Sequence, residues 1–200
     1  GMVTLNADGT AVMNVMDVRT ITRLDFSWKN YTIKTLEGIE LFENLEILEC
    51  ASTQLEECDL SQNTKLTTVT LAYNNLTSVD FSNNVELCYL RCDGNTNLTT
   101  LQIANCNNLT NVNFAGTSIS SITIPNRGNI RSLGYNPTIL TVDFTQFSNL
   151  ESLIVDSSGI TTLDFIPTDV KNQLISLSCA YNKLSSLDLS AYPNLQQLFC

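Results

Sequence analysis

The chain predicts a β-rich α/β solenoid, and three observations carry that prediction. The first is self-similarity at a fixed period: Leu45, Leu66, Leu87, Leu109, Ile130, Leu150, Leu174 and Leu195 follow one another at 21, 21, 22, 21, 20, 24 and 21 residues. The second is the grammar inside a unit, where apolar residues recur at offsets 0, +3, +5, +10, +13 and +15. Leu66, Val69, Leu71, Leu76, Val79 and Phe81 fill one such set, and Leu174, Leu177, Cys179, Leu184, Leu187 and Leu189 fill another. The third is a polar residue at +8, Asn in Asn74, Asn95 and Asn182 and Thr53, Thr117 or Ser158 elsewhere.

Each element follows from that spacing. The pair at +3 and +5 alternates in and out as a short strand, the +8 residue turns the chain, and the pair at +13 and +15 is a second extended piece on the way back. One unit cannot bury its apolar side alone, so the units stack into eight or nine rungs. The +8 side chain belongs inside, bonded to backbone groups that the turn leaves unpaired. Residues 1–20 stand outside the repeat and read as an N-terminal cap: Asn6-Ala-Asp-Gly9 marks a hairpin, and Asn14 with Asp17 can cap a short helix before Ile21. Residues 21–200 form the array, opened by a longer unit (Ile21, Leu24, Phe26, Ile33, Leu36) and closed by an incomplete one (Leu195, Leu198, Cys200). The extra residues from Pro167 to Gln173 should bulge from the stack as a loop.

The segments Leu45-Glu-Ile-Leu-Glu-Cys50, Leu87-Cys-Tyr-Leu-Arg-Cys92 and Leu174-Ile-Ser-Leu-Ser-Cys179 carry this pattern in a form that resembles bacterial leucine-rich repeats. The likeness is to the short 21-residue, cysteine-bearing repeats of internalin-J-like and Bacteroidetes surface proteins. The resemblance implies a right-handed coil with parallel strands on the concave face and short extended segments on the convex face. It also implies an extracellular or cell-surface location, although the leader such a location requires is not in this chain, where Gly1-Met2 runs straight into polar sequence.

Composition removes whole classes of chemistry. The 200 residues contain no histidine, which excludes imidazole bases, His-activated nucleophiles and His-ligated metals. Ten Lys plus Arg against twenty Asp plus Glu give a net charge of -10, which opposes nucleic acid and anionic lipid. No apolar run is long enough to span a membrane. No Gly-rich phosphate loop and no acid pair outside the repeat mark a catalytic cleft, so an enzyme is not expected, nor a cofactor.

Four of the seven cysteines, Cys50, Cys92, Cys179 and Cys200, fall on the inward +5 position, where a free thiol serves as a small apolar side chain. Cys58 falls inward at +13, and Cys88 and Cys106 are expected outside. No CxxC spacing supports a metal cluster. Asp59, Asp80, Asp143, Asp164 and Asp188 recur between +13 and +15 as a solvated acidic row, with stacked carboxylates too far apart to share a calcium ion.

Offsets +2, +4, +6 and +7 point outward from the strands. The aromatic and arginine side chains among them gather towards the two ends of the array: Trp28, Tyr73, Tyr89 and Arg91 near one, Tyr181 and Phe199 near the other. Such side chains offer a large rigid area with a polar tip, the chemistry of binding hot spots. These six are the candidate ligand-binding residues, and replacing Tyr89 and Arg91 together with Ala is expected to leave stability nearly unchanged. A protein partner is the first expectation, with a glycan, or a structural role within a longer surface protein, as alternatives.

Overall fold

In the computed structural model the side chains of residues 18–27, 32–139 and 142–200 are described, together with the backbone of residues 4–5 and 11–12. Nine three-residue strands form one parallel sheet: β3 (Arg23–Asp25), β4 (Ile47–Glu49), β5 (Thr68–Thr70), β7 (Tyr89–Arg91), β9 (Asn111–Asn113), β10 (Ser132–Gly134), β11 (Ser152–Ile154), β12 (Ser176–Ser178) and β13 (Gln197–Phe199). Neighbouring strands pair in strict register, Leu48 with Val69 and Val69 with Leu90, so the +3 residues stack in one buried column. Thr4–Leu5 (β1) and Ala11–Val12 (β2) pair as an antiparallel ribbon, and a 3₁₀ turn at Val18–Thr20 leads into the sheet. The helix start expected at Asn14 and Asp17 lies outside the described residues, as does Trp28.

On the return side the extended pieces become regular strands in two units, β6 (Ser78–Asp80) and β8 (Thr100–Gln102), paired in parallel. The residues from Pro167 do not form a bulging loop. They make a helix, α1 (Thr168–Gln173), that starts behind Pro167 and buries Val170. Proline ahead of the first helical turn loses no hydrogen bond, and one apolar side chain anchors the six residues to the coil.

The asparagines at +8 behave as anticipated, whereas Thr138, at +8 in the Ile130 unit, is exposed. Asn74 Oδ1 accepts from the backbone N–H of Thr53 and Leu55, each at 3.0 Å, and its Nδ2 donates to the carbonyl of Cys50 at 2.7 Å. Asn182 repeats this on Ser158, Ile160 and Val155. Each amide therefore finishes the backbone of the preceding rung. A second buried amide pair lies on the return side, where Asn63 donates to the carbonyls of Ile39 and Phe42, and Asn84 to those of Leu60 and Asn63. Cys106 occupies the corresponding place in the next unit, fully buried with its Sγ 3.4 Å from the carbonyl of Phe81. It is thus an inside residue, contrary to the expectation for it. Cys200, expected inside, is exposed, because among the described residues no rung covers its far side.

The Asp row also has more to do than meet water. Asp59, Asp80, Asp143 and Asp188 each accept from the backbone N–H two residues on, at 2.8–3.0 Å, capping the turn that leaves the return segment. The bonds from Ser61, Ser82, Thr145 and Ser190 hold these four carboxyls below their ordinary range.

Candidate binding groove on the sheet

Outward positions on the sheet are not equivalent. At +2 and +4 most side chains stand half-exposed or exposed from the strands, Asn113 being buried, but at +6 the chain has left the strand and alternation no longer applies. Ala51, Ala72 and Ala115 are consequently buried at 1%, 1% and 5% exposure rather than outward. Asp93, at the same offset, is buried as well.

At +7 the backbone turns left-handed: φ is +57° at Ser52, +55° at Tyr73, +73° at Gly94, +66° at Gly116, +52° at Ser157 and +56° at Tyr181. Glycine adopts this conformation freely, whereas a bulky side chain is strained in it. Two of the six candidate residues, Tyr73 and Tyr181, therefore occupy positions where a large side chain costs the fold stability. Both are well exposed, at 53% and 89%.

Tyr73, Tyr89, Arg91 and Phe199 line one depression of about 630 Å³ on the sheet face. Its floor is Asn111, Asn113, Ser132, Ser152, Ser176 and Ser178. Tyr73 lies across the next rung: a Cβ on Gly94 would stand 2.5 Å from the Tyr73 ring, so the ring rests on glycine backbone. Arg91 grips Asp93 through two bonds, Nε to Oδ1 at 3.0 Å and a terminal nitrogen to Oδ2 at 2.9 Å. That pairing raises the Arg91 pKa, so its charge is permanent. The Asp93 side chain is only 8% exposed, and truncating Arg91 would leave a buried carboxylate without its cation. The near-neutral effect expected for the Tyr89 and Arg91 pair therefore applies to Tyr89 alone. Tyr181 does not line the groove. It stands at the far lip, beside Asn182, Leu184 and Cys200.

Asp156, outward by its +6 offset but not one of the six candidates, lines the groove too. Its Oδ1 accepts from Ser178 Oγ at 2.7 Å and from the Ala180 N–H at 2.8 Å. Among the described residues it makes no salt bridge. The signal that could have found it is the Asp at +6, shared only with Asp93 in the array.

No cysteine lines this groove. Burial pushes Cys50 and Cys106 up to about 11 and Cys58 up to about 12, which keeps them neutral. No group of three or more Cys, Asp or Glu among the described residues is placed to hold a metal ion. No helix among them is long and apolar enough to cross a membrane.

No family model matches the sequence, and a search of curated proteins gives no match. Solved structures do match. The functional domain of internalin J from Listeria monocytogenes, which includes a cysteine ladder, is 26% identical, with a TM-score of 0.52 over 90% of this chain and 49% of that one. A leucine-rich-repeat protein of Leptospira interrogans superposes with a TM-score of 0.69 at 20% identity, over 92% of this chain and 50% of the other. Internalin C2 of Listeria monocytogenes gives 0.57 at 24% identity, over 98% of this chain and 85% of its own. The chain thus spans about half the length of the first two. By fold it is a leucine-rich-repeat solenoid, similar to those of bacterial internalins.

Proposed function

We propose that the sheet face is a protein-recognition surface and that the chain is a non-enzymatic binding module of a secreted or surface-exposed bacterial protein. The observation that carries this reading is the groove itself, where Tyr73, Tyr89, Arg91 and Phe199 converge on a sheet whose other outward residues are small. Rigid aromatic and guanidinium groups lose little entropy on binding and bury much area. The left-handed backbone of Tyr73 and Tyr181 supports the same reading, since exposed residues that strain a fold are commonly retained for an outside contact. Similarity to the internalins supports the location and the adhesive role. The buried Cys50, Cys92 and Cys179, comparable with the ladder of internalin J, act in this reading as apolar filling.

The test is a parallel screen of the protein and its Tyr73→Ala/Tyr89→Ala variant on arrays of secreted and surface protein domains and on a glycan array. Protein ligands that the variant loses, while its thermal midpoint stays close to that of the parent, are the expected result. Ligands found only among glycans, or protein ligands indifferent to the double substitution, would overturn it.

A further inference from the structure

The aromatic bank of the groove contains a chemically labile link. Asp93 precedes Gly94, and an Asp-Gly step is prone to close on itself, because glycine has no side chain to shield its backbone nitrogen from the preceding carboxyl. In that reaction the Gly94 nitrogen attacks Asp93 Cγ. An N–Cγ bond forms, the amide hydrogen and the carboxyl hydroxyl leave together as water, and a succinimide ring results. Solvent water then opens the ring at one of its two carbonyls. Opening at Cγ restores aspartate, whereas opening at the main-chain carbonyl leaves the chain running through Cγ as isoaspartate, one methylene longer and unchanged in mass. The same dipeptide occurs once more in the sequence, as Asp8-Gly9, outside the described residues.

The fold opposes this reaction at Asp93 in two places. Ring closure requires the peptide plane between Asp93 and Gly94 to turn until the nitrogen faces the carboxyl. That plane is bonded on both sides: the Asp93 carbonyl accepts from the Tyr73 N–H at 2.8 Å on the preceding rung, and the Gly94 N–H donates to the Ala115 carbonyl at 2.9 Å on the following one. Turning it breaks both bonds. The carboxyl is fixed separately, with Arg91 Nε on Oδ1 at 3.0 Å and a terminal nitrogen of Arg91 on Oδ2 at 2.9 Å. Neither oxygen is free to leave. The Tyr73 ring covers Gly94, where an added Cβ would stand 2.5 Å from it.

Two local demands put the labile pair there. Gly94 answers a left-handed backbone, at φ +73°, and Asp93 answers Arg91. Elsewhere at these two offsets the hazard does not arise, since Gly116 follows Ala115 and Asp156 precedes Ser157.

We propose that Asp93-Gly94 is a latent self-modification site and that the Arg91 clamp, with the two bonds between rungs, holds it closed. A structurally protected link reacts in proportion to the population of its locally opened form. Loss of the clamp raises that population. Isoaspartate, with its longer backbone, cannot restore both bonds of the plane, and Tyr73 and Arg91 then lose their places on the bank. Arg91 thus guards a backbone link as well as lining the groove, whatever the groove binds.

The parent chain, Arg91→Ala and Asn182→Ala are aged under folding conditions at neutral pH beside a peptide of residues 90–97. Isoaspartate at Asp93 is read by fragment-ion mass spectrometry after digestion, which separates it from any at Asp8, and thermal midpoints are recorded. Asn182→Ala weakens the coil at a distant rung without touching the clamp. The parent and Asn182→Ala are expected to isomerise at Asp93 at least about tenfold more slowly than the peptide, and Arg91→Ala at least about tenfold faster than the parent. Should Arg91→Ala fail to fold, Arg91→Lys carries the same expectation, because it keeps the charge and loses the two-point grip. A parent that isomerises at the peptide's rate, or a folded Arg91 variant no faster than the parent, would overturn the site. Equal acceleration by Asn182→Ala would overturn it too, by tracing the reaction to general unfolding.

Discussion

Tyr73 and Asn74 are neighbours in the chain and opposites in the fold. Asn74 turns into the coil, buried at 6% exposure, and satisfies backbone groups of two rungs. Tyr73 turns out, 53% exposed, on a left-handed backbone that its side chain disfavours. The same step separates Tyr181 from Asn182. The comparison teaches that the buried asparagines of the inner column are under the rule of stability, while the lip beside them is free to carry residues that stability would reject. A surface for recognition can thus vary without touching the coil that supports it.

The contrast can be broken most severely from the inside. Asn74→Ala orphans the N–H groups of Thr53 and Leu55, at about 1–3 kcal/mol for each group left unsatisfied, and removes one of the donors to the Cys50 carbonyl. Asn111→Ala on the groove floor should stay within about 0.5 kcal/mol. Denaturant midpoints of the two variants measure the gap, and equal losses would disprove the division between column and lip.

A smaller effect tests whether the lip positions are coupled. Gly94→Ala places a methyl group against the Tyr73 ring on a backbone with φ of +73°, and a loss of about 1–2 kcal/mol is expected from the conformation alone. Adding Tyr73→Ala should recover the part due to the collision. A double-mutant cycle with no interaction term would mean that the ring does not rest on that glycine.

Tyr181→Gly goes the other way. Relief of the left-handed strain at a side chain 89% exposed should raise stability by some tenths to about 1 kcal/mol. A fall in the unfolding midpoint would show that the tyrosine supports the coil, as Asn182 does.

The smallest expected effect is that of pH near neutrality. With no histidine, nothing in the array titrates in its ordinary range between pH 5 and 8, so the unfolding free energy should be flat there. Loss at the acid end comes from the turn-capping Asp59, Asp80, Asp143 and Asp188. Their folded pKa values lie below the ordinary 3.8, so their contribution is present above that value and is lost as pH falls through and beneath it. Loss at the alkaline end comes from the inner thiols, whose folded values are raised. The unfolded chain ionises from about 9.0, and stability then declines towards the folded values of about 11 for Cys50 and Cys106. Chemical unfolding across pH 3 to 11 would show a plateau with two shoulders.

Much of the coil was legible because burial against identical neighbours forces identical spacing. Leu66, Val69 and Leu71 have to recur as Leu87, Leu90 and Cys92, and the Asn at +8 has to recur with them. The second amide pair was not legible. Asn63 and Asn84 are followed at that place by Cys106, so no single residue type repeats, although the hydrogen-bonding task does. Ala51 and Ala72 are buried against the outward expectation for +6, because strand alternation does not extend two residues past the strand's end. The groove's aromatic bank could be read from outward offsets, but its depth could not, since that depends on Asn113 lying flat and on Arg91 being held by Asp93.

The inner amides also give the coil a direction in time. Asn74 finishes the backbone of the Thr53 turn, and Asn182 that of the Ser158 turn, so each cap reaches back to a segment made earlier. As a chain leaves the ribosome, a turn followed by one of these asparagines is complete only once that successor has emerged, and until then its amides stay open. At those rungs growth from the N-terminus closes the coil in order of synthesis, the new rung locking the one before it.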